Sequence, residues 1–215
     1  MKFSANIYDT FMAGVEARQL KTRRNRLLSG LKGRVLEVGV GTGVNFEHYN
    51  PEARVIGLEP AVHMMEQAEL RRQGASHPHI IQLYALGWGD RKTKMFLESN
   101  VQQFDAIVCT LVLCTLPNPE QAIRDFHGLL KPGGRLVVLE HVRSNNGLAR
   151  ALQNLFTPLW SVIGGGCELN RPTGQTITEA GFVPMRETRF SFGLPFLEAE
   201  YVKMHSDCPK VCTDF

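Results

Sequence analysis

Glu37 lies two residues before the first of three alternate glycines, in the run Val35-Leu-Glu-Val-Gly-Val-Gly-Thr-Gly-Val-Asn45. A carboxylate inside an apolar run is expensive to bury and needs a partner. Gly39, Gly41 and Gly43 supply the backbone freedom for a tight turn and let a ligand approach the main chain. A strand, a glycine turn and a following helix N-terminus make a nucleotide-type pocket. The spacing is G-x-G-x-G rather than the dinucleotide G-x-G-x-x-G. With Glu37 available to an ammonium group, the pattern favours S-adenosylmethionine as cofactor.

Further along, Ile56-Gly57-Leu58-Glu59-Pro60 puts an acid at a second strand's tip. It stands about twenty residues beyond the glycines, where an acid can take two ribose hydroxyls. The other reading of Glu59 is a charge that favours the next helix dipole. Leu86-Gly87-Trp88-Gly89-Asp90 follows a third strand, where adenine would lie. Trp88 there is either a stacking surface or ordinary core. A fourth apolar run, Phe104 to Leu116, has a polar break at Thr110, followed by Leu111 and Cys114. The fifth ends Glu140-His141-Val142. Imidazole titrates near neutrality, so His141 is the candidate general base, with a structural histidine as the alternative.

These residues need a sheet to carry them. Apolar runs alternating with helical patterns indicate an α/β fold with a mostly parallel sheet. Strands are expected at Arg34–Val40, Arg54–Glu59, Ile80–Tyr84, Phe104–Thr110 and Arg135–His141, with helices after Gly43, Pro60, Pro119 and Arg171. Asn118-Pro119-Glu120 starts a helix and Lys131-Pro132-Gly133-Gly134 stops it. Phe182–Phe192 and Phe196–Met204, joined by a tight turn, predict a closing antiparallel hairpin.

Two segments lie outside the sheet. Residues 1–28 carry Phe3, Ile7, Phe11, Met12 and Val15 at helical spacing, then Arg18, Lys21, Arg23, Arg24 and Arg26. This reads as an amphipathic helix with a solvated basic end, or as a lid that also touches an anionic membrane surface. Residues 147–166 form an apolar insertion that would cap the ligand crevice. Tyr8, Cys114, Phe156 and Trp160 are the expected contacts of a small apolar acceptor.

At 215 residues the chain is expected to be one domain. A formal charge of +3 gives no case for nucleic acid. Neither a membrane-length apolar run nor a secretory signal stands in the sequence. Five irregularly spaced cysteines do not form a disulfide framework, so a reducing, cytoplasmic setting is expected, with membrane contact at most peripheral. Cys208-x-x-x-Cys212 has no histidines at zinc-like spacing, and no metal is expected. Convergence of Cys114 with Cys167 would suit arsenite methylation.

The glycine motif, Leu58-Glu59-Pro60, Cys109-Thr-Leu-Val-Leu-Cys114, Leu130-Lys-Pro-Gly-Gly134 and Leu139-Glu-His-Val142 resemble class I methyltransferases of the ubiquinone and menaquinone type. Pro158-Leu-Trp160 leading to Gly166-Cys-Glu-Leu-Asn-Arg171, with the Thr-Leu-Val-Leu-Cys exit and Glu-His-Val end, narrows the likeness to methyltransferase-like enzymes that methylate alkyl thiols. The similarity spans about Leu31 to Met204. It implies a Rossmann-like fold and S-adenosylmethionine contacts at Glu37, Gly39, Gly41, Gly43, Asn45, Glu59 and Pro60, with Thr110 and Leu111 beside the cofactor. It also implies a thioether and S-adenosylhomocysteine as products. Two departures stand out: that family's membrane-anchoring N-terminal segment is missing, and Gly89 occupies the place of a common acid before Asp90. The alternatives are N- or C-methylation of a phospholipid amine or quinone precursor, and cofactor binding without transfer.

Overall fold

The computed structural model describes residues 20–204; Tyr8 and the rest of the expected lid up to residue 19, and Cys208 and Cys212, lie outside the described residues. Seven strands form one sheet: β1 Gly33–Val38, β2 Ala53–Leu58, β3 Ile81–Tyr84, β4 Phe104–Thr110, β5 Leu130–His141, β6 Phe182–Phe192 and β7 Leu194–Lys203. Their spatial order is β3-β2-β1-β4-β5-β7-β6. The first five are parallel, and β7 runs antiparallel between β5 and β6. The strand order reverses between β1 and β4, so their carboxyl ends open a crevice there. Helices α1 Lys21–Leu28, α2 Val62–Gln73, α3 Arg91–Glu98, α4 Pro119–Leu129, α5 Gly147–Ile163 and α6 Thr173–Glu179 complete the described chain. None among the described residues is long and apolar enough to cross a membrane.

The central strands are apolar on both faces because both faces are covered. Leu36, Ile107, Leu136 and Phe126 are fully buried in one cluster; Val35, Val108, Leu139 and Leu28 are fully buried in another. The helix start at Asn118 is as expected, its side-chain oxygen accepting from the Gln121 N–H at 2.9 Å.

Several expectations need correction. No α-helix follows Gly43; a single 3-10 turn, Phe46–His48, stands there. Pro51 closes the segment just before β2 and disfavours helical geometry at Asn50. Helix α3 was not foreseen, because its turns are polar and only Thr93 is buried. Strand β5 starts at Leu130, with an irregularity opposite Phe104 and Ala106. Gly193 alone, at φ +71°, joins β6 to β7.

The basic end of the N-terminal helix is only partly solvated: Lys21 and Arg26 are exposed, Arg23 and Arg24 are not. Arg24 is buried, and Arg23 and Arg26 both donate to Glu198, a carboxylate only 1% exposed on β7. The Arg23 guanidinium also lies 3.5 Å from the centre of the Phe190 ring. Helix α5 is inverted too. Its inner positions are Gln153 and Thr157, while Leu148, Leu152, Leu155, Phe156, Leu159 and Val162 face outward. Three backbone contacts hold it: Gln153 donates to Val142 and Leu169 carbonyls and accepts from the Ser144 N–H.

Glu198 clamps α1 to β7. Glu198→Ala should lower stability by about 2 kcal/mol, since it leaves Arg23 short of acceptors in a partly buried place. Urea denaturation checks this; an unchanged midpoint would show that the clamp contributes nothing.

Candidate active site

Glu37, in the middle of the sheet, is 1% exposed. Its two oxygens accept from Asn45 Nδ2 at 2.7 Å and from the Tyr49 hydroxyl at 2.8 Å. Asn45 in turn accepts from Arg24 Nη1 at 2.8 Å, and its amide and Arg24 both donate to the Thr110 hydroxyl at 3.0 Å. One polar network therefore joins α1, β1, the segment after the glycine loop and the end of β4. Burial pushes the Glu37 carboxyl up to about 7, against the lowering effects of Tyr49, Asn45 and Arg24. The Tyr49 phenol is pushed up by burial and by Glu37, and stays a donor. Tyr49 and Arg24 carry no motif in the sequence.

The glycine loop lies over this network. Gly39 and Gly43 are closed in: a Cβ would meet the Val112 and Phe46 side chains, each at 2.4 Å. Gly41, at φ +56°, instead faces open space. Its N–H donates to Glu59 Oε2 at 3.0 Å, and the Ala61 N–H donates to Oε1 at 2.9 Å. Burial raises the Glu59 pKa, while these two N–H groups oppose the shift. The carboxylate is thus fixed beside the bare face of Gly41, with lone pairs left over for ligand hydroxyls. Pro60 is exposed and packs near Gly87, whose N–H and C=O are taken by Asp90 and Thr93. Trp88 sets its edge against Phe126, ring centres 4.8 Å apart, and packs partly on the core. The open backbone face of Gly41 beside the oriented carboxylate of Glu59 fits the hydroxyl-bearing ribose of S-adenosylmethionine.

The exit from β4 is held from two sides. Leu111 is left-handed at φ +57°, a strained angle for a side-chain-bearing residue. Beyond it the Val112 and Leu113 N–H groups donate to Glu140 Oε1, each at 2.9 Å, and Cys114 N–H approaches Oε2 at 3.4 Å. On the other side, Arg171 Nη1 donates to the Leu113 and Leu116 carbonyls at 2.6 and 2.7 Å. Glu140 is fully buried, and desolvation lifts its pKa to about 7. The Glu-His pair at the strand end therefore divides its work, with Glu140 holding the loop and His141 packed against Phe196 and Cys167.

His141 Nδ1 lies 3.6 Å from Cys167 Sγ, which is 3.2 Å from Cys114 Sγ. The imidazole packs on Phe196 with centroids 4.4 Å apart. Hydrogen bonding from Cys114, with help from His141 and Trp160, lowers the Cys167 pKa to about 5 against desolvation, while Cys114 is pushed well up. Trp160, Leu169 and Leu194 pack around the two sulfurs. Phe156, one turn before Trp160, is 54% exposed and sits on the outer stripe of α5. A separate cleft lies between Pro117–Ile123 and Glu168–Thr176 and shares no residue with the glycine loop.

Linkage gives Glu37 a measurable signature. A carboxyl raised from 4.5 to about 7 in the fold contributes stability that is complete below 4.5 and lost as pH rises through 7. The full shift is worth about 3 kcal/mol. In urea titrations without cofactor, the wild type should lose about 2.5 kcal/mol more than Glu37→Gln between pH 5 and 8. Parallel profiles would mean that Glu37 is ionised in the fold throughout.

Comparison with known proteins agrees with this geometry. A family model described as a methyltransferase domain matches residues 8–180. The human thiol S-methyltransferase TMT1B is 32% identical over 182 residues, covering 80% of this chain and 72% of the relative. A phosphatidylethanolamine N-methyltransferase from Cereibacter sphaeroides is 24% identical, covering 74% of each chain. Among solved structures, an O-methyltransferase family protein from Burkholderia thailandensis superposes with a TM-score of 0.73 at 14% identity, covering 94% of this chain and 60% of that one. The N-methyltransferase NodS from Bradyrhizobium japonicum, in complex with S-adenosylhomocysteine, does so at 0.61 and 21% identity, covering 86% of each chain. With its glycine loop, oriented acid and switch-point crevice, the chain belongs to the methyltransferase domain family and is an S-adenosylmethionine-dependent methyltransferase of the class I fold.

Proposed function

We propose that the methyl acceptor is the sulfur of a small apolar thiol. The observation that carries this is the wall at the ends of β4 and β5. There Cys114, Cys167 and Leu169 form a buried, sulfur-rich apolar cluster with Trp160 and Leu194 packed against it, and the adjacent carboxylate of Glu140 is committed to the backbone of the β4 exit. The 32% identity to a relative named thiol S-methyltransferase supports the same acceptor.

The residues divide the task by chemistry. Gly41 and Glu59 hold and orient the cofactor, and Thr110 and Leu111 border it at the switch point. S-adenosylmethionine supplies an electrophilic methyl carbon bonded to a sulfonium that leaves as a neutral thioether. The fixed loop from Leu111 to Leu116 places the acceptor, and its rigidity makes a bimolecular encounter effectively unimolecular. A thiol loses its proton far more readily than an alcohol near neutral pH, so the wall requires no strong base of its own.

A matched series of alkyl thiol, alcohol, phenol and amine tests this with radiolabelled methyl donor. Thiols should react faster than oxygen acceptors by about 10²-fold or more, the contribution a positioned base would otherwise make. Faster methylation of ethanolamine-type amines or phenols, with thiols inert, would overturn the thiol reading. Tight S-adenosylhomocysteine binding without transfer to any of them would leave a cofactor-binding protein instead.

A further inference from the structure

Three groups with an affinity for soft metals meet at the acceptor wall, and neither the fold nor the cofactor site accounts for all three. Cys114 comes from the β4 exit, His141 from the end of β5 and Cys167 from the turn after α5. Their donor atoms all lie within 4.8 Å of one another, and all three residues are buried. We propose that Cys114, His141 and Cys167 bind a zinc-like thiophilic cation whose open fourth position takes the acceptor thiol. The site itself stands on the geometry alone; its use in activating the acceptor rests on the thiol reading above.

The distances suit such an ion. Zinc sits about 2.3 Å from thiolate sulfur and about 2.0–2.1 Å from imidazole nitrogen, so donors around a tetrahedral ion are roughly 3.5–3.8 Å apart. The Cys167-to-imidazole separation of 3.6 Å already matches, the sulfur pair at 3.2 Å needs to part by about half an ångström, and Cys114 and the imidazole, whose donor atoms lie within 4.8 Å, need to close by up to about 1 Å. That pair is not a disulfide, whose sulfurs lie about 2.05 Å apart. Two thiolates and an imidazole favour zinc or another soft ion over magnesium or calcium. Three protein ligands, rather than four, are the mark of a catalytic zinc site.

The supports around the ligands are also in place. The Cys114 carbonyl accepts from the Glu168 N–H at 2.9 Å, and the Cys167 N–H donates to the Gly164 carbonyl at 3.2 Å. Phe196 fixes the face of the imidazole. Groups that hold ligands in place contribute to affinity nearly as much as ligand identity does.

The chemistry balances. The acceptor thiol displaces a water from the fourth position, its sulfur bonds to the ion, and its proton leaves to solvent. A metal-coordinated thiol is held deprotonated. The thiolate lone pair then forms the new sulfur–methyl bond as the methyl–sulfonium bond breaks, and that electron pair departs on the sulfur of S-adenosylhomocysteine. The thioether product is a weaker ligand than the thiolate and gives way to water.

The full chain, reduced and stripped with chelator, should be titrated with Co(II) as a spectroscopic substitute for zinc. The expected result is saturable binding with a thiolate-to-cobalt charge-transfer band, displaced by zinc, and a change in the tetrahedral d–d bands on adding an alkyl thiol but not the matching alcohol. Cys167→Ser and His141→Gln should each weaken binding by more than roughly 100-fold, beyond the loss expected from an outer supporting group. Unchanged S-adenosylhomocysteine affinity in these variants shows that they are folded. Equal cobalt binding by wild type and both variants, or binding without the thiolate band, would overturn the site. Undiminished thiol methylation by the metal-free chain would overturn its activating role and leave the thiol reading standing. A bound metal in a chain that methylates only amines would do the reverse, removing the thiol reading while the site remains.

Discussion

A carboxylate in the central strand of a sheet has no water to turn to, and the arrangement of this molecule follows from how Glu37 is satisfied. Its only routes to partners are the chain segments just beyond the glycine loop and the helix packed over it. Asn45 and Tyr49 come from the first and bond to Glu37 from either end of the single 3-10 turn that follows the loop. Arg24 comes from the second, donating to Asn45 and Thr110 and lowering the Glu37 pKa by its charge. Low dielectric makes such a network strong when complete and expensive when broken. Satisfying one buried acid therefore fixes where the cofactor loop ends and where β4 stops.

Glu140 repeats the logic one strand over. It is fully buried, and its oxygens collect the N–H groups of the strained turn after Leu111 while Arg171 takes carbonyls of the same turn. An acid and a base thus grip opposite polarities of one short backbone segment. That grip presents Cys114 toward His141 and Cys167. The two buried acids serve two segments: Glu37 underlies the glycine loop, and Glu140 the β4 exit beside the two cysteines.

Much of this was legible in the sequence, for physical reasons. Alternation of apolar runs with helical patterns gave the parallel sheet and its closing hairpin, because strands covered on both faces need continuous apolar stretches. Gly41 and Glu59 were legible because only glycine leaves a backbone face bare and a strand-tip acid has few other uses. What failed to show were partnerships across long sequence separations. Arg23, Arg24 and Arg26 look like a solvated charge run until Glu198 and Asn45 are placed opposite them. Gln153 sits in an apolar stretch, yet it anchors α5 while the leucines face outward. Cys114 and Cys167, 53 residues apart, could be read as converging, but nothing in the spacing joined His141, 26 residues before the second, to them.

The central claim is that the crevice at the ends of β1, β2 and β4 receives the cofactor. Amide hydrogen exchange with and without S-adenosylhomocysteine tests it residue by residue, since ligand binding slows exchange where it suppresses local opening. The account expects slowed exchange at Gly39–Asn45, Glu59–Ala61 and Thr110–Cys114, with β6 and α4 unchanged. Slowed exchange confined to Glu120–Ile123 and Thr173–Thr176, around the separate cleft, would contradict it.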